Sequence, residues 1–288
     1  MNNFKNIFVY SLLILSLNNC TDHVDYEAIE NYAITAEVYF QQESDYEAAL
    51  VGTYDPLQWM FFNIQIGAIA SDLSLCGGES ASDYLGLQEI NSMTHYPEND
   101  VLSNVWRWLY EGVNRANYME ENKSNIEFDG KESMYGEVYF LRAYYYFQLI
   151  KFFGDVPLFT DVRLTAGDSG SLSRSAASLV YEQIELDLQN AISVLPASQS
   201  EQGRVNKFTA YALLGKVLLY QEKFAESAQA FDQVIGVYSL VSDYGSQFLR
   251  FGENGPESVF EIQYTNQSNW YDWNCIQCSE GNYGIIMN

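Results

Sequence analysis

The most continuous apolar pattern in the chain runs from residue 136 to residue 153. Almost every position there is apolar or aromatic, so the pattern predicts a central helix packed over most of its circumference. Gly154 and Pro157 predict where this helix ends. On a helical wheel, a few polar positions fall on one narrow strip: Glu137, Tyr144, Gln148 and Lys151.

Arg142 lies on the same predicted helix but outside the polar strip, among apolar positions. A charge buried there is costly unless it is paired or hydrogen-bonded. We therefore predict that Arg142 forms a structural ion pair, and Asp72 is one candidate partner.

Helical spacing of apolar residues recurs along most of the chain. The predicted helices span residues 43–54, 57–62, 100–121, 177–195, 209–220 and 224–235. Residues 80–99 lose this spacing and predict a long polar loop, of a length that is more often functional than not. Near the C-terminus, residues 258–264 alternate between apolar and polar positions, which predicts a strand.

Two of these helices match the spacing of tetratricopeptide repeats. Gly215 lies in the first helix and Phe231 follows sixteen residues later in the second, so the glycine permits a close approach that the phenyl ring fills. The central helix and helix 177–195 predict a preceding pair. Trp106 and Tyr110, four residues apart, are expected to pack together as core residues. The predicted fold is mostly α, a tetratricopeptide-like scaffold of helical pairs with long loops and a short strand near the C-terminus.

The amino terminus predicts a secreted and lipid-anchored protein. Residues 7–17 form an apolar run that is too short to span a bilayer, and Leu17-Asn18-Asn19-Cys20 resembles a bacterial lipoprotein signal. We expect residues 1–19 to be the signal peptide and Cys20 to be acylated, with residues 20–42 as an acidic tether. The alternative is an ordinary secretory signal cleaved at another position.

Charge and cysteine usage narrow the possible partners. The chain has 14 basic and 38 acidic residues and a formal net charge of −24, which disfavours binding to nucleic acid.

Cys275 and Cys278 form a lone CxxC pair, a weak signal that favours a local disulfide or none. His23 and His95 are far apart in the sequence. No metal or cofactor is predicted.

Two stretches combine aromatic rings with amide and carboxylate groups, as a sugar site requires. The candidate ligand-binding residues are Asp83, Tyr84, Gln88, Asn91 and Tyr96 in the loop, and Trp270, Tyr271, Asp272 and Trp273 in the tail. These aromatic residues could instead cover the scaffold or contact another protein. No spacing marks a catalytic carboxylate pair, a nucleophile with its histidine or a phosphate loop, so an enzyme is not expected.

Several short motifs follow one another in a specific order. They are Cys20, Trp106-x-x-x-Tyr110, Asn114-x-x-Asn117, Gly136-Glu137, Leu141-Arg142-Ala143-Tyr144, Phe153-Gly154-Asp155-Val156-Pro157-Leu158, Arg174, Ile184-x-x-Asp187-Leu188-x-x-Ala191, Leu195-Pro196, Gly203-Arg204 and Lys207-x-x-Ala210. With these motifs the chain resembles the SusD/RagB family of outer-membrane nutrient-binding lipoproteins of Bacteroidetes.

The resemblance implies a non-enzymatic, lipid-anchored protein on the cell surface at the outer membrane. It would capture an oligosaccharide or another nutrient and pass it to a SusC-like TonB-dependent transporter. Family members are longer, so we expect a truncated member with a helical domain at residues 43–240 and the start of a C-terminal region at 241–288. The alternatives are a tetratricopeptide-type scaffold that binds only protein, or a non-functional remnant. Sugar binding would distinguish them.

Overall fold

The computed structural model describes residues 39–263 except 60–61, 72, 81, 166–167 and 169–171. The chain divides into a unit Met1–Gln41, of which only residues 39–41 are described, and a unit Gln42–Asn288, which contains all the elements below. The acylation candidate Cys20, most of the predicted tether, the Cys275/Cys278 pair and the tail candidates Trp270, Tyr271, Asp272 and Trp273 lie outside the described residues.

The described part of the chain is built from helices. They are α1 Glu43–Tyr54, α2 Pro56–Trp59, α3 Phe62–Ile69, α4 Leu85–Asn91, α5 Asp100–Glu121, α6 Lys131–Phe153, α7 Ala177–Val194, α8 Lys207–Tyr220 and α9 Phe224–Asp232, followed by 3₁₀ turns at Tyr244–Phe248 and Arg250–Gly252. The prediction of a mostly α fold is confirmed. In this part of the chain, no helix is both long enough and apolar enough to cross a membrane.

Successive long helices pack against each other, α5 on α6, α6 on α7, α7 on α8 and α8 on α9, while α1 packs on α5 and α6. The predicted scaffold of helical pairs is therefore confirmed. Helix α6 is its centre and begins at Lys131, five residues before the predicted start. Met134 and Tyr135 in its first turns are also buried. The helix ends where Gly154 adopts a φ of 67° and donates its N–H to the carbonyl of Ile150.

Two glycines set the distance between helices. A Cβ on Gly136 of α6 would lie 2.8 Å from Val194 Cγ2 at the end of α7, and a Cβ on Gly215 of α8 would lie 2.7 Å from the Phe231 ring of α9. Glycine within a helix costs roughly 0.5–1 kcal/mol relative to alanine. Glycine is nevertheless suited to both positions, because a larger residue would push the paired helices apart.

The structure differs from the predicted elements in three further places. Helix α4 lies within the predicted loop 80–99, and two helices, α2 and α3, replace the single predicted helix 57–62. Pro56 starts α2, in the first turn, where its missing N–H needs no partner. The predicted strand is wrong for the described residues 258–263, which form no ladder. This segment packs on helices through the Phe260–Phe140 ring contact, and helices offer no free backbone groups for strand pairing.

Candidate functional site

Arg142 is the most completely paired buried charge on α6. Its Nε and Nη2 atoms each donate to a carboxylate oxygen of Asp187 on α7 at 2.8 Å, and both side chains are at most 5% exposed. Its Nη1 atom donates to Asn117 on α5 and to the Thr160 carbonyl. The predicted ion pair of Arg142 is present, with Asp187 as the carboxylate in a two-bond geometry, and the candidate partner Asp72 lies outside the described residues.

Arg142 and Asn117 also hydrogen-bond the connection that follows α6. We call this connection, residues 157–165, the brace segment. Its backbone is hydrogen-bonded by polar side chains of α5 and α6 rather than by another strand. Tyr110 donates to the Pro157 carbonyl, Tyr146 and Asn117 donate to the Phe159 carbonyl, and Arg142 donates to the Thr160 carbonyl. Asn114 donates to the Leu164 carbonyl and accepts from the Leu164 N–H. Many residues of the sequence motifs thus build one structural unit.

Trp106 lies in an aromatic cluster beside this unit. Its ring centroid is 4.8 Å from that of Tyr110 and 5.0 Å from that of Phe153, while Tyr110 stacks on Phe159 at 5.6 Å. Trp106 therefore packs with Tyr110 on α5 and with Phe153 at the end of α6, and Tyr110 extends the cluster to the brace segment.

The polar strip of α6 begins at Glu137. Tyr54 of α1 donates its hydroxyl to Glu137 Oε2 at 2.5 Å, and Arg204 Nη1 lies 3.5 Å from the same oxygen. Arg204 also pairs with Glu47 and Glu201. Burial raises the pKa of Glu137 from its usual 4.5 to about 7, although Tyr54 and Arg204 act in the opposite direction.

The other end of the strip lines a pocket. Gln148 and Lys151 of α6, with the adjacent Phe152 and Asn63 of α3, surround a cavity of about 270 Å³. Gln148 is only 6% exposed, and its side-chain oxygen has no hydrogen-bond partner among the described residues. The side-chain oxygen of Asn63 is buried and unpartnered in the same way. Gln148 and Lys151 lie on the predicted polar strip, but the sequence pattern does not mark them as site residues.

Three loop candidates use their polar groups to build the loop itself. The Asp83 carboxylate accepts from the backbone N–H groups of Glu79 and Ser80 and from the Ser80 hydroxyl, and these hydrogen bonds lower its pKa. Gln88 donates to the Asp83 carbonyl, and Asn91 accepts from the Cys76 N–H. These contacts fasten residues 76–84 to α4.

Tyr84 and Tyr96 flank α4 and expose their rings. Tyr84 is 46% exposed and Tyr96 is 68% exposed. Tyr84 also has a φ of 51°, in the left-handed region that non-glycine residues seldom adopt. Backbone strain of this kind persists where surrounding contacts enforce it, often at ligand sites. Of the loop candidates, these two rings are the ones available for stacking on a ligand.

Within the residues described, no cluster of three or more histidine, cysteine or acidic side chains is arranged to hold a metal ion. Cys76 is a free thiol. His95 is exposed.

A family model described as "SusD-like, starch-binding associating with outer membrane" matches residues 68–219, more than half of the chain. SusD-like protein P2 of Formosa agariphila is 28% identical over 279 residues, which cover 93% of this chain and 54% of that protein. The chain thus spans about half the length of the curated relatives it matches.

Solved structures of SusD-like proteins also match this chain. A laminarin-binding SusD-like protein is 33% identical with a TM-score of 0.74, over 78% of this chain and 52% of the other. Surface glycan-binding protein A of Bacteroides thetaiotaomicron, solved with laminarihexaose, is 26% identical with a TM-score of 0.71, over 82% and 52% of the two chains. From the motifs, the helical scaffold and these matches, we conclude that the chain belongs to the SusD/RagB family.

Proposed function

We propose that this protein binds an oligosaccharide at the cell surface and does not catalyse a reaction on it. The observation that carries the proposal is its likeness to a laminarin-binding SusD-like protein, at 33% identity and a TM-score of 0.74. A second neighbour was solved with laminarihexaose, which makes this oligosaccharide the first ligand to test.

We assign the exposed rings of Tyr84 and Tyr96 to the binding surface. A sugar ring has an apolar face that stacks on an aromatic side chain and hydroxyl groups that need polar partners. Asp83, Gln88 and Asn91 support this surface by fastening the loop to α4. Trp270, Tyr271 and Trp273 remain proposed ligand contacts on the sequence pattern alone.

Isothermal titration calorimetry of the full chain with laminarihexaose tests the proposal. We expect saturable binding, and we expect Tyr84→Ala and Tyr96→Ala each to weaken it about tenfold, because truncating an aromatic anchor in a binding site costs on the order of 1–2 kcal/mol. Tyr244→Ala is the matched control, since Tyr244 is 74% exposed but lies after α9.

Two results would contradict different parts of the proposal. Unchanged affinity in both loop variants would remove Tyr84 and Tyr96 from the site and leave sugar binding intact. No binding to laminarihexaose or to a panel of other glycans would overturn the function for this chain and favour a scaffold that contacts only protein, or a remnant without function.

The anchor and the transporter are also proposals. We infer that Cys20 carries lipid and holds the protein at the outer membrane, where it delivers its ligand to a SusC-like TonB-dependent transporter. The lipoprotein-type signal before Cys20 supports the anchor. Cys20→Ala is expected to release the protein from the membrane fraction, and affinity purification of the anchored protein is expected to recover the transporter. Membrane retention of the variant would refute the anchor, and purification without any transporter would refute the partnership.

A further inference from the structure

The segment that carries the exposed rings of Tyr84 and Tyr96 has charges of one sign. Residues 79–100, which we call the acidic segment, contain one histidine, no lysine or arginine, and five acidic residues: Glu79, Asp83, Glu89, Glu98 and Asp100. The lack of basic residues extends well beyond this segment, because no lysine or arginine occurs between Lys5 and Arg107. The proposed binding rings therefore lie among carboxylates.

These carboxylates keep their negative charge in the folded protein. In the described part of the chain, none of the five takes part in an ion pair. Asp83 and Glu89 accept hydrogen bonds from backbone, hydroxyl and amide groups, and Asp100 accepts from a backbone N–H. Such hydrogen bonds hold a carboxylate in place without cancelling its charge, and those to Asp83 lower its pKa.

The helices that pack on α4 bring little positive charge to the acidic segment. Helix α3 contains no charged residue. Helix α5 contains Arg107 and Arg115, and Arg115 is paired with Asp55 and Glu111. Arg107 lies seven residues beyond the start of α5, roughly 10 Å along the helix axis. An anionic group near the rings would therefore meet carboxylates without a cation beside them.

The carboxylates lie close enough to the rings to act on a ligand there. Burial raises the pKa of the Tyr84 hydroxyl, and the nearby charge of Asp100 raises it further. The Asp100 carboxylate lies against Gly86, two residues after Tyr84. Glu98 follows Tyr96 by two residues and is exposed. Charges interact over about 8 Å at physiological ionic strength, so a ligand stacked on Tyr84 lies within their range.

We propose that the acidic segment restricts the ligands of this protein to glycans without anionic groups and excludes those that carry uronate or sulfate groups. The inference rests on the proposed oligosaccharide-binding function and names its ligand class. Sugar hydroxyls are uncharged and are not repelled, whereas each carboxylate or sulfate on a ligand faces like charges. Repulsion of the wrong ligand is a general source of specificity, and it requires no direct contact with the carboxylates.

Two probes with the same backbone and different charge test the inference in calorimetry on the full chain at pH 8, where histidine is normally neutral. One is laminarihexaose, and the other is laminarihexaose whose primary hydroxyl groups have been oxidised to carboxylates. In 0.1 M NaCl, where charges act over about 10 Å, we expect the oxidised probe to bind at least about tenfold more weakly. In 1 M NaCl, where this range is about 3 Å, we expect the difference to shrink to about threefold or less.

Charge-neutralising variants locate the effect on the protein. Glu79→Gln combined with Glu98→Gln removes two exposed carboxylates whose side chains make no hydrogen bond or ion pair among the described residues. We expect this double variant to bind the oxidised probe about threefold more tightly in 0.1 M NaCl and laminarihexaose within twofold of the unmodified chain. Glu182→Gln combined with Glu226→Gln is the matched control, because it removes two exposed carboxylates from α7 and α9. It should change neither affinity.

Several results would overturn the inference and leave sugar binding intact. These are equal affinity for the two probes in 0.1 M NaCl, binding of the oxidised probe alone, and equal gains from the two double variants. A weak affinity for the oxidised probe that responds neither to salt nor to the Glu79/Glu98 variant would also overturn it, since the lost hydroxyl groups would then be the cause. If neither probe nor any other glycan binds, the proposed function fails and the inference fails with it.

Discussion

Both ends of the polar strip on α6 carry a buried polar side chain, but one is paired and the other is not. At the Glu137 end, the carboxylate meets the Tyr54 hydroxyl and the Arg204 guanidinium, and Arg204 in turn pairs with Glu47 and Glu201. At the Gln148 end, eleven residues along the same helix, a buried amide oxygen has no hydrogen-bond partner among the described residues.

The difference follows from the free energy that each group costs when it is buried without a partner. A buried charge without a partner is far more costly than a buried neutral amide, so a fold can leave the amide open and remain stable. The Glu137 end therefore contributes to holding α1 and the segment around Arg204 on α6. The Gln148 end leaves its amide oxygen buried and unpaired.

The largest expected effect comes from removing the charge partner at the Glu137 end. Arg204→Met removes the cation that lowers the Glu137 pKa, so Glu137 must either stay charged beside Glu47 or take up a proton. We expect a loss of about 3 kcal/mol in the free energy of unfolding at pH 8, as when one partner of a buried pair is removed. Urea denaturation measures this loss. Arg107→Met is the control, because Arg107 is exposed and is expected to change stability by less than about 0.5 kcal/mol. A loss below about 1 kcal/mol for Arg204→Met would mean that both ends of the strip tolerate an unpaired polar group equally well.

A smaller effect is expected from the titration of Glu137. Its folded pKa, about 7, lies above its usual 4.5, so the folded state binds more protons and stability falls as pH rises through this window. We expect this carboxyl to remove about 2 kcal/mol between pH 5 and pH 7. Glu137→Gln abolishes that contribution, so the difference in stability between the two proteins should change with pH by this amount. A difference that stays constant, or changes in the other direction, would contradict the raised pKa.

The smallest effect is expected at Lys151, with the opposite sign. Its folded pKa, about 8, lies below its usual 10.5, so the unfolded state binds more protons and stability rises with pH across this window. Partial burial and the nearby charge of Lys216 lower this pKa. We expect less than about 1 kcal/mol, because solvent still reaches much of the side chain and screens its charge. Lys151→Met should remove the rise, and Lys216→Met should shift it to higher pH. Equal slopes in all three proteins would show that Lys151 titrates normally.

The parts of the fold that were predictable from the sequence are those fixed by local contacts. Helices α1 and α5 have the predicted bounds, and their starts are set nearby. The Asn99 side chain accepts from the Leu102 N–H at the start of α5, and the Gln42 and Asp45 groups cap α1. Helix α4 was missed because it has only seven residues and no side-chain cap. Its position depends instead on Asn99, which donates to the Gly86 carbonyl.

The partner of Arg142 was missed for a related reason. Asp187 lies 45 residues away in the sequence, and helical periodicity carries no information about which helices meet. A signal was nevertheless present. Asp187 lies between Ile184 and Ala191 on the buried face of α7, and an acidic residue in such a position requires a cationic partner. The pocket residues gave a weaker signal, because an unpaired amide is visible only once the neighbouring helix is placed.

The brace segment, residues 157–165, has a consequence for how the molecule moves. It contains no helix or strand, yet side chains of α5 and α6 hold its backbone groups at successive positions. Amide protons on Phe159 and Leu164, which donate to Tyr146 and Asn114, should therefore exchange with deuterium as slowly as those of a regular helix. An irregular connection is thus fixed to α5 and α6 at successive positions, and slow exchange of these amide protons would show that it is as rigid as the helices that hold it.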